Sequence, residues 1–123
     1  MTAAKDPRPF LAHIAESIEW IERHVAGMGI EDFTENVPAQ DMVARRLEII
    51  GEAARNIPQE FREQHSSLAW SNMVGMRNVL IHQYFGIDPN IVWDTVVRDL
   101  PKLKKQIAQL RAELDADRGV RAV

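Results

Sequence analysis

Four residues within one helix-length apolar run carry side chains able to do chemistry: Arg77, Asn78, His82 and Tyr84. They are set in Gly75-Met76-Arg77-Asn78-Val79-Leu80-Ile81-His82-Gln83-Tyr84-Phe85-Gly86. An imidazole titrates near neutrality, so His82 suits general acid or base work. A guanidinium stays charged and forks onto phosphate oxygens, which suits Arg77 to binding a phosphodiester and stabilising charge that develops on it. Asn78 could hold the imidazole tautomer or donate to a phosphate oxygen. RNA brings its own nucleophile, the 2′-hydroxyl beside each phosphodiester. Such a set therefore needs only to move protons and stabilise a five-coordinate phosphate. No metal ion or other cofactor is expected, and no acidic cluster suited to magnesium stands in the sequence. A bland alternative stands beside this one, in which the three residues form a polar network that satisfies a buried helix.

At about 100° per residue the run divides by face. Met73, Met76, Val79 and Leu80 fall on an arc about 120° wide, the width of a core-facing stripe. Arg77, Asn78, His82 and Tyr84 fall on the opposite arc, together with Val74 and Ile81. Two β-branched aliphatics among polar groups suggest a face pressed against something, read here as a second copy of the same helix. Arg77 and His82 lie about 140° apart, so one helix hardly focuses both on a single phosphate. Two such helices facing each other across a twofold axis could. Gly75 lies within about 20° of His82 on the wheel. A mid-helix glycine costs about 1 kcal/mol relative to alanine, and close approach of a partner helix is one reason to accept it.

The string from Gly75 to Phe85 resembles the Arg-x4-His-x-Tyr motif of the HepT-type toxins, members of the HEPN (higher eukaryotes and prokaryotes nucleotide-binding) superfamily. Supporting similarity lies in Leu11-Ala12-His13-Ile14, in Ile50-Gly51-Glu52-Ala53-Ala54 and in Asp99-Leu100-Pro101, so the resemblance covers nearly the whole chain. It implies a homodimer whose cleft takes both motifs and cuts RNA without a metal, as the toxin of a toxin–antitoxin pair. It also implies that Tyr84 is the residue a minimal nucleotidyltransferase antitoxin modifies with AMP. Position alone favours an amphipathic tyrosine with a packed ring and a wet hydroxyl. A non-catalytic HEPN binding module, which engages a nucleotidyltransferase or a nucleotide, is the rival.

Around this motif the chain must supply a scaffold. Its 123 residues are enough for one domain with a proper core, and 46% hydrophobic with 27% charged residues is ordinary for a globular protein. There is no cysteine, which excludes disulfides and thiolate metal sites. No apolar run approaches the roughly 20 residues that span a bilayer, and the amino terminus lacks a signal-peptide core. A cytoplasmic location and no membrane partner are expected. A net charge of −3 argues against a generic nucleic-acid coat, so any RNA contact is local.

Apolar spacings of three and four mark the helices. Leu11, Ile14, Ile18, Ile21 and Val25 form one stripe, stopped by Gly27 and Gly29. Glu31 to Pro38 reads as a linker. Val43, Leu47, Ile50, Ala54 and Ile57 form the second stripe, ended by Pro58. Glu48 and Glu52 are expected to pair with Arg45 and Arg55 across i,i+3 spacings rather than to act as paired carboxylates. Residues 58–67 read as a poorly packed connector with one turn at Gln59–Gln64, with His65 a solvated loop residue, and His13 and His24 read as ordinary surface or core-edge imidazoles. Trp70 opens the motif helix. From Asp88-Pro89 a last pattern runs through Val92, Val96, Leu100, Leu103, Ile107, Leu110 and Leu114, kinked or split at Pro101 with Asp99 recapping. Lys102, Lys104, Lys105 and Arg111 form a basic cluster, read as a solubilising face. Residues after Leu114 are expected to fray. The expected fold is an all-α up-and-down bundle of four to five helices, one domain over residues 1–123 with its ordered core at about 8–114.

Overall fold

The computed structural model describes residues 6–81 and 88–122, without the side chains of 78–81 and 118–122. It is all-α. Helix α1 spans Arg8–Val25, α2 Ile30–Glu35, α3 Val37–Asn56, α4 Gln59–Gln64, α5 Trp70–Ile81, α6 Pro89–Asp94 and α7 Leu100–Ala122. A π-helical turn, Thr95–Asp99, joins α6 to α7.

The apolar stripes do what their spacing requires. Leu11, Ile14, Ile18 and Ile21 of α1 are buried against Val43, Leu47, Ile50 and Ala54 of α3 and against Leu100, Leu103, Ile107 and Leu110 of α7. Each buried leucine or isoleucine contributes about 1.5–3 kcal/mol relative to its exposed state, so this three-helix core is the main source of stability. An ion pair from Glu22 to Lys104, 2.9 Å long, ties α1 to α7 across the surface. Gly27, at φ +80°, supplies the left-handed turn that ends α1, where a residue with a Cβ would be strained.

Three expectations are corrected. Residues 31–38 are not a bare linker, because Ile30–Glu35 is helical. One fully buried side chain, Phe33, holds α2 down, with its ring 5.1 Å from that of Trp93. The Gln40 amide donates to the carbonyls of Phe33 and Thr34 and closes the end of α2 onto α3. His65 is not simply solvated. Its ring lies 4.4 Å from Phe61, and its carbonyl accepts from the Trp70 indole N–H. Nor does Pro101 split the last helix. The backbone stays helical at both Asp94 and Leu100, so Asp99 lies inside a continuous helix and caps no new start. A proline lacks its N–H and collides with the carbonyl four residues earlier. The wider turn at 95–99, in which the Leu100 N–H reaches back to the Thr95 carbonyl, removes that collision by lengthening the hydrogen-bonded loop. Beyond Leu114, α7 runs on to Ala122.

Candidate active site

Helix α5 crosses α3 at Gly51. A Cβ built on that glycine would lie 2.9 Å from the Met73 carbonyl oxygen and 2.9 Å from the Arg77 Cβ. Gly51 is therefore the residue that admits α5 to its place, and the close approach sets where Arg77 starts from. The Arg77 side chain, one-third exposed at 33%, extends to Glu52, with Nε 3.0 Å from the carboxylate Oε2. The other carboxylate oxygen of Glu52 accepts from the Asn56 amide at 3.4 Å, and that amide also donates to the Glu52 backbone carbonyl at 2.8 Å. Arg77 is thus held by a carboxylate that is itself tethered on the next turn of α3.

These groups line one wall of a groove of about 510 Å³. Helix α1 contributes Phe10 and His13, α3 contributes Arg45, Glu48, Glu52 and Asn56, and α5 contributes Arg77. Arg45 pairs with Glu48 at 3.3 Å, as the i,i+3 spacing predicts. Glu52 does not pair with Arg55 as expected; its partner is Arg77, from another helix. The groove consequently presents two arginines, each matched by a glutamate, and an exposed imidazole. A phosphodiester entering it could exchange places with Glu52 on the Arg77 guanidinium, which suits phosphate by charge and by shape.

Of the expected site residues, Arg77 alone has a described side chain. Asn78 follows it on α5 with its backbone described, while His82 and Tyr84 lie outside the described residues. The helical-wheel expectation needs amendment at Arg77. Four residues separate it from Met73, about 40° of rotation, so it lies beside the core stripe rather than opposite to it. Met73 is buried, and Arg77 leaves the same side of α5 at the core's edge. Val74, taken as one sign of a partner helix, packs in part against the chain's own core. Gly75 behaves differently. A Cβ there would meet nothing within 4 Å, so no neighbour among the described residues accounts for this glycine.

Glu52 is a functional candidate that the sequence reading weighed and set aside as a partner for a nearby arginine on its own helix. Its signal was the glycine beside it, since a glycine inside a long helix marks a place where another backbone comes close. Among the described residues, no three histidines or carboxylates converge as a metal site would require.

Comparison with known proteins decides the family. Residues 14–110, a span that includes Glu52 and everything from Arg77 to Tyr84, match the family described as "Ribonuclease HepT-like". The chain belongs to the HepT-like ribonuclease family. It is 43% identical over 106 residues to a protein named "Putative RNase" from Caldanaerobacter subterraneus subsp. tengcongensis, covering 86% of this chain and 95% of that one. It is 44% identical over 104 residues to the "Probable ribonuclease HepT" of Thermococcus cleftensis, covering 85% and 94% respectively. The family match takes in all of α3 and α5, and it begins at Ile14, one residue after the His13 that α1 contributes to the groove.

Proposed function

We propose that this chain is a metal-independent endoribonuclease and the toxin of a toxin–antitoxin pair, acting as a homodimer with a composite site. The observation that carries the proposal is Arg77, held half-buried on the groove wall by Glu52, with His82 five residues further along in a HepT-like sequence. Arg77 binds the scissile phosphate and stabilises its transition-state charge, His82 moves protons, and Asn78 orients one or the other. Each motif supplies part of the cleft and the second copy supplies the rest. Within a cell the chain acts in the cytoplasm; no helix among the described residues is long and apolar enough to cross a membrane. Its partner is a minimal nucleotidyltransferase that silences it by attaching AMP to Tyr84. The added phosphodiester then occupies Arg77 as a substrate mimic while the adenine fills the cleft.

The purified protein, incubated with RNA in EDTA, should produce fragments ending in 2′,3′-cyclic phosphate or 3′-phosphate. Arg77→Ala and His82→Ala should each abolish cleavage and leave the circular dichroism melt nearly unchanged. Loss of all wild-type activity in EDTA, or full activity in both variants, would refute the mechanism. Mass spectrometry after incubation with the cognate nucleotidyltransferase, ATP and magnesium should place one adenylyl group on Tyr84. An adduct elsewhere refutes that assignment. An arginine paired to a glutamate is also what a purely structural role looks like, so a non-catalytic module that binds the nucleotidyltransferase or a nucleotide is the rival. It predicts a protein that binds but never cuts.

A further inference from the structure

Beyond the groove at Arg77, the seam between α1 and α3 continues toward the carboxy-terminal half of α1. His13, Trp20 and His24 share one flank of α1, at spacings of seven and four residues that keep them within about 40° of each other. Trp20 is 36% exposed, high for the largest apolar side chain in the set. Its ring is surrounded by cations and an imidazole. The Arg46 guanidinium lies 5.3 Å from the ring centroid, that of Arg23 5.9 Å, and the His24 ring 5.4 Å. Arg46 comes from α3, next to the Arg45 that lines the groove.

The charges along this seam are not equivalent. Arg77 faces Glu52, Arg45 faces Glu48, and Arg23 faces Glu19 at 3.9 Å. Arg46 makes no ion pair among the described residues, and its one contact of note is the face of Trp20. A cation without a carboxylate, laid on an exposed indole, is the combination that single-stranded nucleic acid uses. The phosphate draws the guanidinium off the ring, and a base stacks on the π-face it leaves. Along α3, Arg46 precedes Glu52 by about 9 Å of helical rise and stands about 120° around the helix from it, so a strand of a few nucleotides could reach both the platform and the Arg77 groove.

We propose that the α1–α3 seam is a binding track for the RNA strand flanking the cut, with Trp20 stacking an unpaired base and Arg46 contacting its phosphate. The ligand class rests on the ribonuclease proposal; the geometry of the platform does not. Base stacking requires unpaired bases, so the track takes single strands in preference to duplex. It is tolerant of sequence, because every base has a face to stack.

The test is equilibrium binding of a fluorescein-labelled 2′-O-methyl oligoribonucleotide, which lacks the nucleophile and cannot be cut, read by anisotropy and by quenching of indole emission. Trp20→Ala should weaken binding about 5- to 150-fold, the range of base–aromatic stacking. Arg46→Ala should weaken it as well and make the slope of log affinity against log salt shallower by about 0.7. Trp20→Phe, which keeps a ring on the face of Arg46, should retain most of the affinity and lose the quenching. It also covers the case in which Trp20→Ala fails to fold. Unchanged affinity in Trp20→Ala and Arg46→Ala, quenching that persists in Trp20→Phe, or a wild type that does not bind the strand would each overturn the track. A protein that binds through Trp20 yet cuts no RNA overturns the nuclease proposal alone. One that cuts RNA and is indifferent to Trp20 overturns the track alone.

Discussion

At the scale of single residues, Arg77 reaches the groove with its charge already matched. The Glu52 carboxylate is 52% exposed, so the pair is worth at most about 1 kcal/mol to the fold after solvent screening. Its significance is geometric. Tethered by Asn56, Glu52 fixes one edge of the guanidinium, and a bound phosphate must share or displace it. We therefore predict that Glu52→Gln leaves the melting temperature nearly unchanged. Substrate should bind somewhat more tightly, since a competing charge is gone, while kcat falls about 10- to 100-fold because the fork is less well aimed. A variant that cleaves at the wild-type rate would show that Arg77 needs no such guide. Ser17 shows the opposite case, with no apparent use for its polar group. Its side chain is fully buried and its Oγ has no hydrogen-bond partner among the described residues. Ser17→Ala should stabilise the protein by about 1 kcal/mol, since it removes an unpaired buried hydroxyl and improves helix propensity. Thermal denaturation at a lower temperature than wild type would contradict this.

Two glycines separate the forces acting on whole elements. At Gly51 a methyl group meets backbone, and a helix cannot move one carbonyl without shifting its neighbours. Gly51→Ala should cost about 1–3 kcal/mol, the usual penalty for overpacking, and should displace Arg77 along with α5. Gly75→Ala is the converse. No described neighbour opposes the methyl group, and helix propensity improves by about 1 kcal/mol. If a second copy of α5 packs at Gly75, that variant should melt higher as an isolated chain and associate more weakly. Differential scanning and sedimentation on the same sample test both halves, and unimpaired association would remove Gly75 from the interface. Much of the scaffold was legible because α1, α3 and α7 each repeat apolar residues over several turns, so one buried face is the only consistent solution. Helix α2 was not, because six residues cannot display a period and a single phenylalanine carries its packing. Arg77 was placed on the wrong arc because the wheel ranked faces by apolar content. The true core edge was set by a glycine on a different helix. No local pattern could pair Arg77 with Glu52, which is 25 positions away on another element.

For the molecule as a whole, self-association is the decisive quantity, because the composite site proposed above would not exist in one chain. Sedimentation equilibrium at micromolar concentration should report a dimer, and a strict monomer that still cuts RNA would place the complete site within one copy. A stable pair buries about 1,200–2,000 Å² in total, which the short helix α5 could supply only together with its neighbours. The π-helical turn before Pro101 bears on how this fold tolerates changes of length. That turn holds one residue more than an α-helix needs, and the helix on either side keeps its phase. The surplus residue is in effect a one-codon insertion stored in a helix, and Pro101 depends on it. Deleting exposed Val97 should restore an unbroken α-helix with α7 still in place against α1, but it would drive the proline ring into a carbonyl and cost about 3 kcal/mol. The same deletion combined with Pro101→Ala should be nearly silent in a thermal melt. A relative without the proline could therefore also do without one residue between positions 95 and 99.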